Sequence, residues 1–173
     1  MKIELKKISF NERLSEETNC FGADLYINGK KVGECKNSGH GGCTDYYGDT
    51  PEGKKLIAEA EAYYKSLPKV KNEKYSFTYQ PTLENAIDEF LENHLKAKDQ
   101  KKMEKHMLNS ILFGRPNSGS YRMISYKQPL AVLVKLQVNK SFLQKRIMEL
   151  QVNECKNGVK ILNTNLEALG LSI

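Results

Sequence analysis

Hydrophobic and polar residues alternate over much of the first third of the chain, as they do in half-buried β-strands. The alternation starts at the third residue and is lost in the polar stretch 9–19. It resumes in segments 23–27 and 31–35, which flank Asn28 and Gly29. An Asn-Gly pair tolerates the positive φ angles of a type I′ turn. The pattern therefore predicts an opening strand followed by a β-hairpin.

Two longer segments repeat apolar residues at the three- and four-residue spacing of a helix that buries one face. The first follows Thr50, a good N-cap residue, and is predicted to run from Pro51 to about Ser66. The second follows Thr82 and carries apolar residues as far as Leu112. It is predicted to be one bent helix or two helices in series.

The rest of the chain shows shorter signals. A third helix is predicted to follow an N-cap at Ser141 and to end at Asn157 and Gly158, which favour a left-handed helix terminus. Gly-rich or polar composition predicts loops at 37–49 and 114–120. A final helical turn is predicted at 166–169, and short strands are predicted at 75–79, 121–127, 159–162 and the first half of 130–138.

The order of these elements predicts an α+β fold, in which three or four helices cover a mostly antiparallel sheet with an N-terminal β-hairpin. A length of 173 residues without repeats or a low-complexity linker predicts a single domain over 1–173. The longest apolar run, 130–134, is too short to cross a bilayer, and the opening residues do not resemble a signal peptide. We therefore expect a cytoplasmic protein whose four cysteines do not form disulfides.

Charge is distributed unevenly along the chain. Residues 1–90 hold 13 Lys and Arg and 15 Asp and Glu, whereas residues 91–173 hold 14 and 6. The net charges are −2 and +8. A basic C-terminal half favours nucleic acid or an acidic protein surface as the partner, and a solvated lysine-rich face is the alternative interpretation.

Four lysines in the second helix provide the clearest geometry for such a partner. Lys98, Lys101, Lys102 and Lys105 have the i, i+3, i+4, i+7 spacing that places side chains on one helical face, where they can follow a phosphate backbone without reading its sequence. The nearby segment GRPNSGS lacks the lysine of a phosphate-binding P-loop, so we exclude an NTPase. The candidate residues for binding nucleic acid or another partner are Lys96, Lys98, Lys101, Lys102, Lys105, Arg115 and Arg122.

The Gly-rich segment 37–47 is a second candidate site. Successive glycine amides can hold an anion, and nearby tyrosines can stack on a base. A surface loop packed by its own tyrosines is the alternative. The candidate ligand-binding residues are Gly39, His40, Gly41, Gly42, Tyr46 and Tyr47.

Cysteine and histidine in the same region also suggest metal or covalent chemistry. Cys20, Cys35, His40 and Cys43 supply the ligand types of a structural zinc site, although they lack paired C-x-x-C spacing. Separate structural cysteines are the alternative. A nucleophile Cys43 with His40 as base and Asp45 orienting it is disfavoured, because such groups usually come from distant segments. We therefore assign no catalytic residue and, apart from zinc, no cofactor.

Two stretches of sequence carry a resemblance. The opening MKIELKKISFNERLSEETNCFGADLYINGKKVGECKNSGHGGCTDYY and the later ILNTNLEALG resemble small proteins of bacteriophages and mobile genetic elements. The resemblance spans most of the chain and implies a setting, without an activity or catalytic residues. In that setting small non-enzymatic proteins bind a host machine, a nucleic acid or a component of antiviral defence.

The expected function is therefore a non-enzymatic binding protein that engages nucleic acid, or a host nucleoprotein or defence component, through its basic C-terminal half. The alternative is a small-ligand-binding or hydrolytic protein that uses the loop 37–47, with or without zinc.

Overall fold

A computed structural model describes residues 1–71 and 77–173 of the chain. The chain divides into two compact units, residues 1–95 and residues 96–173. Helices and antiparallel strands occur in both units, which confirms the predicted α+β fold. The expectation of one domain over 1–173 stays a prediction.

The first unit is built on a four-stranded antiparallel sheet whose strands are neighbours in chain order. The predicted β-hairpin is confirmed, because Asn28 and Gly29 adopt φ angles of 51° and 82° between its two strands. A bulge between Lys6 and Ser9 in the first strand coincides with the loss of alternation in the sequence. The four strands are β1 (Ile3–Phe10), β2 (Phe21–Ile27), β3 (Lys30–Asn37) and β4 (Asp45–Gly48).

Strand β4 corrects the prediction that residues 37–49 have no regular structure. Its residues pair with β3, with Tyr46 opposite Cys35 and Tyr47 opposite Glu34. Aromatic residues suit a half-buried sheet position, and Tyr46 packs against the core of the unit. The loop predicted for residues 37–49 is therefore limited to the Gly-rich part that precedes β4.

Helix α1 (Pro51–Ser66) has the predicted bounds. Thr50 is its N-cap, since its Oγ1 accepts a hydrogen bond of 3.0 Å from the Gly53 N–H. The buried residues Ile57 and Ala60 share the face that packs on the sheet.

Three glycines allow the close packing of β3, β4 and the start of α1. A Cβ on Gly33 would overlap the carbonyl of Tyr47, and a Cβ on Gly53 would overlap the carbonyl of Val32. A Cβ on Gly48 would crowd the backbone where α1 begins. The absence of side chains at these positions therefore brings the backbones of the three elements together.

Helix α2 (Leu83–Met107) follows the short paired strands β5 (Val70–Lys71) and β6 (Thr78–Tyr79). Part of the predicted strand 75–79 lies outside the described residues. The predicted Thr82 cap is confirmed: Thr82 and Asn85 each accept a 3.1 Å hydrogen bond from the other's backbone N–H.

The core of the first unit lies between its sheet and the two helices. The strands contribute apolar side chains from one face of the sheet, and α1 and the first part of α2 cover that face. The fully buried side chains include those of Leu25, Ile27, Ala60, Ile87 and Leu91.

The second unit contains a three-stranded antiparallel sheet in which β7 (Ser110–Gly114) lies between β8 (Arg122–Ser125) and β9 (Lys160–Ile161). The prediction that helix continues to Leu112 is wrong, since α2 ends at Met107 and Leu112 belongs to β7. Residues 110–113 are all buried, and the apolar run 111–113 fits a central strand.

Two helices complete the second unit, α3 (Leu130–Leu133) and α4 (Gln137–Asn153). The predicted strand in the first half of 130–138 is wrong, because those residues form α3. The helix predicted to follow an N-cap at Ser141 and to end at Asn157 and Gly158 begins earlier, at Gln137, and ends at Asn153. The strand error concerns a segment whose apolar residues fit strand and helix spacing equally well.

The core of the second unit consists of side chains from its sheet, both helices and the C-terminal turn. That turn is confirmed as a 3-10 helix, Glu167–Leu169, ended by Gly170 at a φ of 69°. No helix within the described parts of the chain has the length and apolar composition needed to cross a bilayer. The buried cluster contains Ile111, Phe113, Leu130, Leu143, Ile147, Leu150, Leu166 and Leu171.

Candidate nucleic-acid interface

The two compact units carry opposite net charges. Residues 96–173 contain 14 Lys and Arg against 5 Asp and Glu, a net charge of +9, whereas residues 1–95 contain 13 against 16, a net charge of −3. The basic residues inferred from sequence as a C-terminal half therefore belong to one folded unit. A surface of this kind attracts polyanions over several ångströms of solution.

The predicted lysine face is present on the C-terminal half of α2. Lys98, Lys101, Lys102 and Lys105 are all exposed and lie within one continuous helix. Their spacing places them on one side of it. Lys96 is exposed as well, but helical spacing places it on the opposite side of α2, where it lines a pocket together with Gln100.

This pocket, with a volume of about 670 Å³, was not predicted from the sequence. Lys96 and Arg115 bring two cationic groups to it, and Asp99 brings one carboxylate. Other lining residues provide an apolar wall and several hydroxyl and amide groups. They are Gln100, Met103, Asn117, Ser118, Gly119, Ser120, Tyr121 and Leu162.

Local hydrogen bonds fix the loop that forms one wall of the pocket. The hydroxyl of Ser118 lies 2.8 Å from the carbonyl oxygen of Arg115 and 2.9 Å from that of Ser120. The hydroxyl of Tyr121 lies 3.0 Å from Nδ1 of His106 on α2. These contacts hold Arg115 and the Tyr121 ring beside the pocket. The sequence predicted a loop at 114–120 and named Arg115 as a binding residue, but it did not predict that Asn117, Ser118 and Ser120 line a pocket with it.

Arg122, the last of the predicted binding residues, has contacts within the fold. Its Nη2 lies 2.7 Å from Oε2 of Glu154, and its guanidinium group lies 4.7 Å from the centre of the Phe113 ring. These contacts give Arg122 a role in packing β8 and β7 against the end of α4.

Hydrogen bonds within the first unit fix the conformation of its Gly-rich loop. The Asn37 side chain accepts a 2.9 Å hydrogen bond from the Gly39 N–H and donates one of 2.9 Å to the Gly42 carbonyl. The hydroxyls of Tyr46 and Tyr47 donate to Glu61 and Glu34 at 2.8 and 2.7 Å. Burial and the bond to Glu61 raise the pKa of Tyr46 to about 12.

A second pocket, of about 980 Å³, adjoins this loop but has acidic walls. The Thr44 N–H donates to Oε1 of Glu84 at 2.8 Å, and the Thr44 hydroxyl donates to Oδ1 of Asp88 at 2.7 Å. Burial raises the pKa of Asp88. Carboxylates repel phosphate, so this environment opposes the predicted anion site at Gly41 and Gly42. The acidic lining residues are Glu84, Asp88, Glu89 and Glu92.

The residues predicted as zinc ligands have different environments. Cys35 is 1% exposed, and burial raises the pKa of its thiol to about 12. Cys20 is half-buried, whereas Cys43 and His40 are exposed. Nδ1 of His40 lies 3.2 Å from Oε2 of Glu16. Within residues 1–71 and 77–173, no group of three or more His, Cys, Asp or Glu side chains is placed to hold a metal ion.

The fold and the site together define an α+β protein. Its second unit is strongly basic and carries a pocket lined by two cationic side chains, those of Lys96 and Arg115. Comparison with protein-family models, curated proteins and solved structures gives no match.

Proposed function

We propose that this chain is a non-enzymatic binding protein of a phage or mobile element and that residues 96–173 engage nucleic acid. The observation that carries the proposal is the net charge of +9 on one compact unit of a chain whose other unit has a net charge of −3. The phage or mobile-element setting rests on the sequence resemblance alone.

The lysine face of α2 supplies contacts to phosphate. Four ammonium groups at i, i+3, i+4 and i+7 cover about 10 Å of the helix axis. They bind by releasing counterions from the nucleic acid, so affinity falls steeply as salt increases. Phosphate contacts carry no sequence information, and the proposed binding is therefore independent of sequence.

The pocket makes a single strand the preferred ligand. An unpaired base can stack on the Tyr121 ring while Arg115 and Lys96 approach its phosphate. A base inside a duplex cannot enter without being flipped out, which costs a few kcal/mol. We therefore expect single strands to bind more tightly than duplexes of equal length.

The proposal is tested by fluorescence anisotropy with labelled single- and double-stranded DNA and RNA across a salt series. Charge reversal of Lys98, Lys101, Lys102 and Lys105 to Glu should weaken binding strongly. It should also reduce the slope of log K against log salt by about 3, since each lost phosphate contact removes about 0.7–0.9. The matched control reverses four exposed lysines of the first unit, Lys54, Lys55, Lys65 and Lys69.

Binding that survives the α2 reversal, or that is lost equally in the control, would contradict the proposal. Failure of the unmodified protein to bind any nucleic acid at low salt would also overturn it, and an acidic protein surface would then become the better candidate partner.

A second candidate function uses the acidic pocket of the first unit. Because Glu84, Asp88 and Glu89 line it, the ligand that fits its charge is a small cation rather than a phosphate compound. Spermidine serves as a probe at low ionic strength. A rise in melting temperature that is absent from the Glu84→Gln, Glu89→Gln variant would support this candidate, and an equal rise in both proteins would exclude it.

A further inference from the structure

Helix α4 is apolar on two opposite sides. Leu143, Ile147 and Leu150 are buried in the core of the second unit. On the other side, Val138, Phe142 and Val152 are 81%, 58% and 69% exposed. A surface helix normally presents polar residues to water, whereas a helix apolar all round is normally covered on all sides.

The exposed side has the regular spacing of a helix–helix seam. Val138, Phe142, Lys145, Glu149 and Val152 follow one another at intervals of four, three, four and three residues. This is the spacing at which side chains of a coiled coil face a partner helix. We refer to these five residues as the α4 seam.

We infer that the α4 seam is covered by α4 of a second copy of this chain, with the two helices antiparallel. A two-fold axis that places Lys145 opposite Glu149 of the second copy also places Glu149 opposite Lys145 of that copy. The same register sets Phe142 against Val152 of the second copy, and Val152 against Phe142 of that copy. These four pairs are complementary in charge or in apolar character, and Val138 lies beyond them at the N-terminal end of α4.

Charge on the seam selects this occupant and this direction. A parallel pairing in register would put Lys145 against Lys145 and Glu149 against Glu149, which is unfavourable. Glu149 stays accessible to a partner, since its side chain is 40% exposed although it accepts a 2.8 Å hydrogen bond from Arg146. The seam is therefore complementary to itself only in the antiparallel direction.

The dimer goes beyond the proposed nucleic-acid binding and does not depend on it. Four interacting layers form a small interface, so we expect a reversible dimer whose population depends on protein concentration. Two basic units in one particle would also double the number of lysines available to a polyanion.

Sedimentation equilibrium over a concentration series tests the dimer with charge variants of the full chain. Lys145→Glu and Glu149→Lys, each alone, place like charges opposite one another and should weaken self-association by about tenfold or more. A mixture of these two variants restores both opposite-charge pairs and should associate nearly as well as the unmodified chain. A variant that carries both Lys145→Glu and Glu149→Lys also pairs opposite charges and should associate nearly as well as the unmodified chain.

Two further variants separate the seam from general surface effects. Phe142→Ala should weaken association, whereas Leu108→Ala removes an apolar side chain that is also exposed, at 61%, and should not. Lys135→Glu makes the same lysine-to-glutamate charge reversal as Lys145→Glu, but outside α4, and should leave association unchanged. Circular dichroism verifies that each variant is folded.

Rescue by mixing is the decisive result, because only paired residues 145 and 149 of two copies produce it. A monomer at all concentrations would overturn the inference, as would a dimer that the single charge variants leave unchanged.

Discussion

Cys35 and Cys43 show how the surroundings of a residue determine its chemistry. The Cys35 side chain is packed in the core of the first unit, with Sγ 3.7 Å from the carbonyl oxygen of Ala23. Cys43 is exposed in the Gly-rich loop. Thiolate is the reactive form of cysteine, and burial suppresses it at Cys35 by raising the pKa to about 12.

We therefore expect a disulfide reagent at neutral pH to modify Cys43 rapidly and Cys35 only after unfolding. The measurement is the number and position of modified thiols over time, read by mass spectrometry. Cys43→Ser should lose the fast reaction and Cys35→Ser should retain it. Modification of Cys35 in the native protein at a rate similar to that of Cys43 would contradict the structure.

Asp24 should make stability depend on pH in the acid range. Lys31 and Lys7 lie 2.8 and 3.2 Å from its carboxylate, and their hydrogen bonds hold the pKa of Asp24 below its ordinary value of 3.8. A carboxylate with a lowered native pKa contributes stability above its unfolded pKa, and this contribution is lost as pH falls through the native pKa.

The stability difference between the unmodified protein and Asp24→Asn should therefore be constant well above pH 3.8 and should shrink below it. Urea denaturation at several pH values measures this difference. A difference that grows as pH falls would show that the two lysines do not stabilise the ionised form.

Residue-scale prediction from sequence succeeded where the partner is close in the chain. Thr50, Thr82 and the Asn28-Gly29 pair act on neighbours within three residues. The salt bridge between Arg122 and Glu154 joins positions 32 residues apart, and no local pattern indicates it. The pocket residues Lys96 and Arg115 line the same cavity for the same reason, through folding rather than through spacing.

At the scale of elements, the start of α1 and the short strands at 121–127 and 159–162 were predicted correctly, as β8 and β9 show, whereas segment 130–138 was not. The bounds of α1 follow from Thr50 and Pro51, which act before any tertiary contact forms. Segment 130–138 has no such cap, and its apolar residues satisfy both periods. Burial of Leu130 in the core of the second unit accompanies the helical outcome.

Thr50→Ala should lower the free energy of unfolding by about 1 kcal/mol, because the Gly53 N–H loses its acceptor. Thr50→Ser keeps a hydroxyl oxygen in reach and should retain most of the stability. Urea denaturation measures both variants. Equal stability of the Ala and Ser variants would show that the cap does not stabilise α1.

For the whole molecule, sequence predicted the direction of the charge asymmetry but not its boundary. The net charge of +8 counted over residues 91–173 becomes +9 when the boundary lies at Lys96. The sequence has no linker at this point, because the boundary falls within the continuous helix α2. Compactness depends on long-range packing, which composition does not reveal.

Self-repulsion within the basic unit predicts a response to salt. Raising ionic strength from about 0.01 to 0.15 M shortens the Debye length from about 30 to 8 Å and should raise the melting temperature. The α2 reversal takes the unit from +9 to +1 and should reduce this rise. The control reversal takes the other unit from −3 to −11 and should increase it. A melting temperature that falls with salt in the unmodified protein would contradict this prediction.

The close approach of β3, β4 and α1 has a consequence for recognising other chains of this kind. Gly33, Gly48 and Gly53 each occupy a position where a Cβ would meet backbone atoms rather than a side chain that can move. A related chain can replace surface lysines or exchange core leucines without disturbing this junction, but any larger residue at these three positions would force its backbones apart. Divergent relatives should therefore share the spacing Gly-x14-Gly-x4-Gly after an Asn-Gly hairpin, even where the rest of the sequence is no longer similar.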